Sequence, residues 1–357
     1  MIHVVIGTRA QLIKMLPLMQ RMQQRGWDYN FVFMAQHKNT ILEILDEFGL
    51  KHPDQVIADD GRDIVRTLQM MAWSIRALTL GLWHRKRLFR ADLSGIALVH
   101  GDAPPLLLGA LIAKAQGLQV AQIEAGLRSF HWFAPFPEEL TRWLTARLGL
   151  INLHLCQDAQ ALENAQNYPG KAILTPGNTI ADTLQMAADT GTTVDQSYAL
   201  VSLHRYETLT SKTRMAWITE LLLSVAKRLR VSVILHPPTE VALRRLGLIE
   251  KLRDCSNIQL VPRMTFIAFQ HKLRHARFLI SDGGGNQEET AYLGVPCLLL
   301  RNSTERQEGL GRNVVISRFE TRVIDDFLTN PERFRVATRR DGPSPSDVIL
   351  DAIKPFV

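Results

Sequence analysis

Several places in the sequence set reactive polar side chains directly after short apolar runs. Thr8-Arg9 follow HVVIG, Gln36-His37 follow YNFVFMA, and His100-Gly101-Asp102 follow GIALV. Glu124 follows LQVAQI, His204-Arg205 follow YALVSL, His236 follows VSVIL, and Ser281-Asp282 follow RFLI. Carboxylates and imidazoles of this kind move protons, and arginine and lysine hold anions. One such residue at the end of one strand is most simply a helix cap or a loop residue. Many of them gain meaning if the strands share a sheet, because the C-terminal edge of a parallel sheet is one surface. The stretch QIEAGLRSFHWFAPFPEELTR (122–142) adds a pattern of its own. It has one acid at a strand end and two more, Glu138 and Glu139, just past an aromatic loop broken by Pro135 and Pro137. In SDGGGNQEE (281–289), glycines 283–285 lie between a strand and a helix start. Glycine lets backbone approach a ligand closely, and the free N–H groups of a helix start attract phosphate. The run is neither GxGxxG nor a Walker loop. In GTRAQLIKM (7–15), Arg9 and Lys14 flank the start of the first helix, where both could meet an anion.

The elements that must position these residues alternate strand and helix almost throughout. The apolar runs are short, continuous and rich in Val, Ile and Leu, the signature of parallel strands covered on both faces. The rhythm pauses over 175–197, read as a crossover and linker, and then restarts. The expected fold is therefore α/β, with two doubly wound, Rossmann-like parallel-sheet domains. Their expected bounds are 1–177 and 178–345, with a terminal helix near 346–357 that packs back on the first. Ligands of such sheets bind at the strands' carboxyl ends, so two halves facing each other place a ligand in the cleft between them.

At 357 residues the chain is long enough for two cores. Its 46% hydrophobic and 22% charged residues are those of a globular protein rather than a disordered one. The sequence starts directly in a strand-like run, MIHVVIG, with no leader pattern, and no uncharged apolar run approaches the ~18 residues of a membrane span. Cys156, Cys255 and Cys297 are odd in number and lack zinc-type spacing, so reduced core cysteines and a cytoplasmic location are expected. The net charge of +7 favours anionic partners. Nucleic acid is not among them, since no aromatic residues interleave with the basic ones in a recognition pattern.

Taken together, these motifs resemble the non-hydrolysing UDP-N-acetylglucosamine 2-epimerases, a family of the two-domain GT-B fold. GTRAQLIKM stands for the family's GTRPEAIKM, HGDA (100–103) for HGDT, and EAGLR…PEELTR for EAGLR…PEE-x-x-R. PGN (176–178), HRYE (204–207), DGGGNQEE (282–289) and TERQE (304–308) stand for TGN, HRRE, DSGGxQEE and TERPE, in the same order. The resemblance implies inversion at C2 of UDP-GlcNAc to UDP-ManNAc with no added cofactor and no metal, for cell-surface polysaccharide synthesis. It implies that UDP leaves C1 as a base removes the C2 proton, and that UDP re-adds to the resulting 2-acetamidoglucal. Carried over position by position, Asp102, Glu124 and Glu138 are the acid/base set. Arg9, Lys14 and His204 stabilise the diphosphate, with His204 counted among the catalytic residues. Gly284, Gly285 and Glu289 hold phosphate and ribose, and Arg142 supports the Glu138 segment. Glu139 keeps the simpler role of a helix-start acid. Gln36 and His37 match part of a motif tied to a second, activating UDP-GlcNAc in bacterial members. The resemblance also implies a homodimer.

A carboxyl crowded by other carboxylates is raised in pKa and suits proton donation, so a clustered trio should contain unlike groups. The departures from the family touch ligand contacts rather than the acids: Ala10-Gln11 for Pro-Glu, Ala103 for Thr, Thr141 for Asn, and Gly283 for Ser in the phosphate turn. Residues 64–90 stand outside the resemblance. Apolar residues at 64, 68, 71, 75, 78 and 82 form a helical stripe, with Trp73 and Trp83 near the basic run HRKRLFR. The stripe reads as the packed face of a long helix. The alternative is contact with the inner face of a membrane. The competing activity is a GT-B glycosyltransferase with a lipid- or polysaccharide-linked acceptor. The hydrolysing epimerase fits less well because of EAGLR…PEE, and a non-catalytic binder because it needs no trio of acids.

Overall fold

The computed structural model of the chain describes residues 1–35, 38–59, 67–132, 137–188, 197–304, 306–337 and 342–356. It describes only the backbone of 38–40, 67 and 68. The chain divides into two compact units: Met1–Met186 with Gly342–Val357, and Ala187–Asp341.

The first unit holds the strands β1 (Ile2–Ile6), β2 (Tyr29–Phe33), β3 (Gln55–Val56), β4 (Ile96–His100), β5 (Gln119–Ile123), β6 (Leu153–Cys156) and β7 (Lys171–Leu174). They form one sheet in the order β3-β2-β1-β4-β5-β6-β7, and every pair is parallel. The second unit holds β8 (Tyr198–Ser202), β9 (Arg230–Leu235), β10 (Ile258–Pro262), β11 (Phe278–Ser281), β12 (Cys297–Leu299) and β13 (Val314–Ile316). Their order is β10-β9-β8-β11-β12-β13, again all parallel. Central strands such as IHVVI and IALVH are buried at every residue, which is why they read as continuous apolar runs. This is the doubly wound α/β architecture expected.

The helix Ile180–Met186 packs on the first helix, Arg9–Gln24, and so belongs to the first unit. The terminal helix Pro345–Ile353 returns to the same place. There the buried Asp182 accepts hydrogen bonds from Ser344 Oγ at 2.7 Å and from the Ser346 amide at 3.0 Å, with Arg21 at 3.5 Å.

The long helix Thr67–Leu88 differs from its expected phase. Ile64 and the side chain of Leu68 lie outside the described residues. Of the rest of the stripe, Leu78 and Leu82 are half-buried, while Met71 and Ile75 are exposed. The buried face instead carries Trp73, Ala77, Gly81 and Leu88. The helix packs on the helix Pro104–Gln116, and a Cβ at Gly81 would lie 2.2 Å from Ile112 Cδ1. Small residues allow that close approach but register poorly in a count of large apolar side chains. Trp73 is therefore core, whereas Trp83 is 83% exposed beside Lys86 and Arg87. No described helix is long and apolar enough to cross a membrane.

Candidate active site

In each sheet the strand order reverses direction once, between β1 and β4 in the first unit and between β8 and β11 in the second. At such a switch point the connecting helices leave to opposite faces and open a crevice at the strands' carboxyl ends. Arg9 follows β1, His100 ends β4 with Asp102 just beyond it, and Glu124 follows the neighbouring β5. Residues after β8 and β11 include His204, Asp282 and glycines 283–285.

The first unit gathers one group of polar side chains around Glu124. Lys14 Nζ donates to Glu124 Oε2 at 2.6 Å, with both side chains buried. The Asn178 side-chain amide donates to the same oxygen at 3.2 Å, and His100 Nε2 lies 3.4 Å away. Asn178 also donates to Gln157 Oε1 at 3.0 Å. Glu124 has φ +61, a left-handed conformation uncommon for a residue with a side chain. The strain is held by the next residues: Ala125 N bonds to Leu155 O, and Gly126, at φ +81, passes so close to the helix Ala159–Gln166 that a Cβ would lie 1.9 Å from Ala161 O. A strained backbone persisting under a buried charged group marks a position where the side chain's direction matters.

Lys14 is thus turned to Glu124, not left as an open cation for an anion. Its helix is fixed at the start by Gln11, one of the departures from the family motif. Gln11 Oε1 accepts from the Gly7 and Thr8 amides, Thr8 Oγ1 accepts from Gln11 N, and Gln11 Nε2 donates to His100 O at 2.8 Å. That last bond needs an amide donor, so a neutral glutamine ties β1's helix to the end of β4. Arg9 occupies the first helical turn and is half-buried.

A second group is built on the helix Glu138–Arg147. Arg142 bonds Asp102 through Nη2 and Glu139 through Nη1, the latter at 3.2 Å. Glu139 stands in the helix's first turn as expected, but it is only 1% exposed and does more than favour the helix dipole. It also accepts from Arg128 Nε at 2.6 Å, Ser129 N at 3.0 Å and Phe130 N at 3.3 Å. Burial would raise its pKa, but the Ser129 amide, Arg128 and Arg142 outweigh this and hold the carboxyl below its usual range. Burial likewise opposes the Arg142 charge, and Asp102 and Glu139 overcome it. Arg142 thus bonds Asp102 and Glu139 directly, Glu139 has Arg128 as a second cation, and the half-buried Glu138 stands on the same helix. The aromatic loop before this helix exposes Phe130 and Trp132, and Trp132 meets Trp143 edge-on at 5.0 Å. Phe133 lies outside the described residues, as do Gln36 and His37.

The second unit brings together a different kind of group. Asp282 is fully buried and accepts from the His204 and Arg205 amides at 3.0 and 3.1 Å, which clamps the end of β8 to the end of β11. Ser281 Oγ accepts from Gly283 N at 3.0 Å and from Asn286 Nδ2 at 2.9 Å. The helix Gly284–Leu293 starts here and carries Gly284, Gly285 and the buried Glu289. Glu288 is paired with Arg306. The His204 ring stands beside the turn, with Nδ1 3.9 Å from Asp282 Oδ1 and the His236 ring at 5.4 Å. His236 Nε2 in turn meets Ser202 Oγ at 3.0 Å.

A family profile described as UDP-N-acetylglucosamine 2-epimerase matches residues 20–329. The chain belongs to that family. The matched region contains Asp102, Glu124, Glu138 and the glycine turn, while Arg9 and Lys14 precede it. Among curated family members, the UDP-N-acetylglucosamine 2-epimerase of Methanocaldococcus jannaschii is 27% identical over 93% of both chains. That of Bacillus subtilis is 28% identical over 95% of this chain and 90% of its own. The solved structure of UDP-GlcNAc 2-epimerase from Neisseria meningitidis bound to UDP-GlcNAc is 25% identical, with a TM-score of 0.81 over 99% of both chains. This full-length likeness agrees with the family's GT-B class of fold. The residues that the sequence alone left without a specific part in the site are His100, Gln157, Asn178 and Arg128. His100 stood in HGDA, Asn178 in PGN and Arg128 in EAGLR, so a signal existed for all three. Nothing local marked Gln157.

Proposed function

We propose that this family member inverts C2 of UDP-GlcNAc to give UDP-ManNAc. The observation that carries the reading is the buried, strained Glu124 held by Lys14, Asn178 and His100 at a strand end within the family-matched region. In the elimination, the C2 proton passes to a carboxylate and its electron pair forms the C1=C2 bond. The C1–O bond breaks, and UDP departs with the pair of electrons from that bond. Re-addition delivers a proton to the opposite face of C2 and reforms the bond from the phosphate oxygen to C1. Glu124, Asp102 and Glu138 are the proposed acid/base set, and Lys14 keeps Glu124 aimed. Arg9 and His204 stabilise the leaving diphosphate, and Gly284, Gly285 and Glu289 receive phosphate and ribose.

Incubation with UDP-GlcNAc in deuterated water, followed by NMR, tests this. The expected outcome is deuterium at C2 and appearance of UDP-ManNAc. Free ManNAc would replace the reading with hydrolysis, and an unchanged substrate that reacts only with an acceptor present would replace it with glycosyl transfer. The exposed face of the helix Thr67–Leu88, with Met71, Ile75 and Trp83, is the surface proposed for a homodimer. Contact of Trp83 and the basic helix end with an anionic membrane is the alternative use of that face.

A further inference from the structure

The phosphate turn of the second unit contains a glycine that its backbone does not require. Gly283 has φ −89 and ψ 133, which any residue adopts. What excludes a side chain is the imidazole of His204. A Cβ on Gly283 would lie 2.4 Å from His204 Cε1 and 3.0 Å from Nε2. Both are well inside van der Waals contact, so the ring occupies the space a side chain would take. Gly285, in the same turn, has nothing within 4 Å of its Cβ position. The two glycines therefore differ: one is open, and the other is filled by a neighbour.

The ring is set by its surroundings. The His204 amide is tied to Asp282 Oδ1, so the residue's Cα is fixed beside the turn. The His236 ring, itself held by Ser202, stands edge-on on one side at 5.4 Å. Gly283 is also the residue capping the helix Gly284–Leu293, and it makes no side-chain cap. The imidazole thus lies against the backbone where that helix's first N–H groups emerge.

We propose that Gly283 is a positioning residue for His204. By lacking a Cβ it lets the imidazole approach the helix start, so that ring and backbone amides act on the same phosphate group. This inference rests on the nucleotide-site reading above and deepens it. Replacing Gly283 would leave the fold intact, since the backbone angles are ordinary and the ring, 42% exposed, can swing away into solvent.

The test is a double-mutant cycle on UDP binding, measured by calorimetry on the full chain, with Gly283→Ala, His204→Ala and the double variant. Each single change is expected to weaken UDP binding on the order of tenfold, the worth of one charge-assisted contact. The double variant is expected to bind no more weakly than His204→Ala alone, because the two changes remove one interaction. A purely structural role for Gly283 predicts losses that multiply, which overturns the proposal. Unchanged binding in Gly283→Ala overturns it too. If Gly283→Ala fails to fold, the double variant decides: without the ring the alanine has room, so a double variant that also fails to fold overturns the steric account. Parent protein that binds no UDP overturns the nucleotide-site reading itself, and this inference with it. UDP binding by the parent with multiplicative losses overturns this inference alone.

Discussion

The two sheets end in different chemistry. After β4 and β5 the polar groups are charged side chains paired in opposite-sign sets: the buried Lys14 with Glu124, and the buried Arg142 with Glu139 and the partly exposed Asp102. After β8 and β11 the corresponding positions hold glycines, a helix start carrying the buried Glu288 and Glu289, the His204 imidazole, and Asp282, a buried carboxylate spent on backbone amides. The first arrangement aims carboxylates and balances them with cations, which suits proton transfer. The second offers backbone donors at a helix start, which suits holding a diphosphate. The same topology and the same switch-point geometry thus present two kinds of chemistry, and the side chains at the strand ends make the difference.

The sharpest way to break that comparison is to remove the charge from Glu124. Glu124→Gln is expected to lower kcat by about a thousandfold and to abolish solvent deuterium exchange at C2, the loss of a positioned proton-transfer group. UDP affinity, assigned to the other unit, should change by less than about twofold. Retained exchange would remove Glu124 from proton transfer, and a matching loss of UDP affinity would merge the two regions into one.

A smaller effect is expected from the ion-pair set around Arg142. Arg142→Met leaves the buried Glu139 without one of its cations and Asp102 without its guanidinium. The expected cost in denaturant unfolding is about 3–5 kcal/mol, typical of breaking one side of a buried charge set. His204→Ala, in the second unit, removes a side chain that is 42% exposed and should cost less, about 1 kcal/mol. Equal costs for the two variants would mean the charged region is no more integral to the fold than the other.

The smallest effect is a dependence on pH. The Glu139 carboxyl is held below its ordinary value of 4.5 in the folded protein. A depressed folded value means the stabilisation is fully present above the unfolded value and is lost as pH falls through the folded one. Melting temperature should therefore be steady near neutrality and decline below about pH 4.5, where the unfolded chain takes up the proton first. Glu139→Gln should be less stable at neutral pH and show a shallower acid decline. An unchanged acid slope would show that the loop's hydrogen bonds do not depend on the ionised carboxyl.

The strand runs were legible in the sequence because β1, β4, β8 and β11 are buried on both faces and so are apolar at nearly every position. The short edge strands Gln55–Val56 and Lys171–Leu174 were not, since half-exposed edges carry little apolar signal. The helix Thr67–Leu88 was legible as a helix but not in its phase. Its packing on Pro104–Gln116 uses Ala77 and Gly81, whose value lies in the volume they lack. Cys156 and Cys297 are free and buried as expected, and burial pushes both thiols up to about 12, whereas Cys255 is half-buried.

Sequence alone determined the architecture and the kinds of residue at the strand ends, because apolar runs, glycines and acids in a set order are local properties of the chain. It could not decide which charge meets which. Lys14 and Glu124 are 110 positions apart, and Arg142 and Asp102 are 40 apart. Their pairing depends on β1, β4 and β5 lying side by side in the sheet. The same holds for Gly283, whose sequence context suggests a free phosphate turn. Only the tertiary structure places the His204 ring in the space beside it, and that contact follows from β8 and β11 being neighbours.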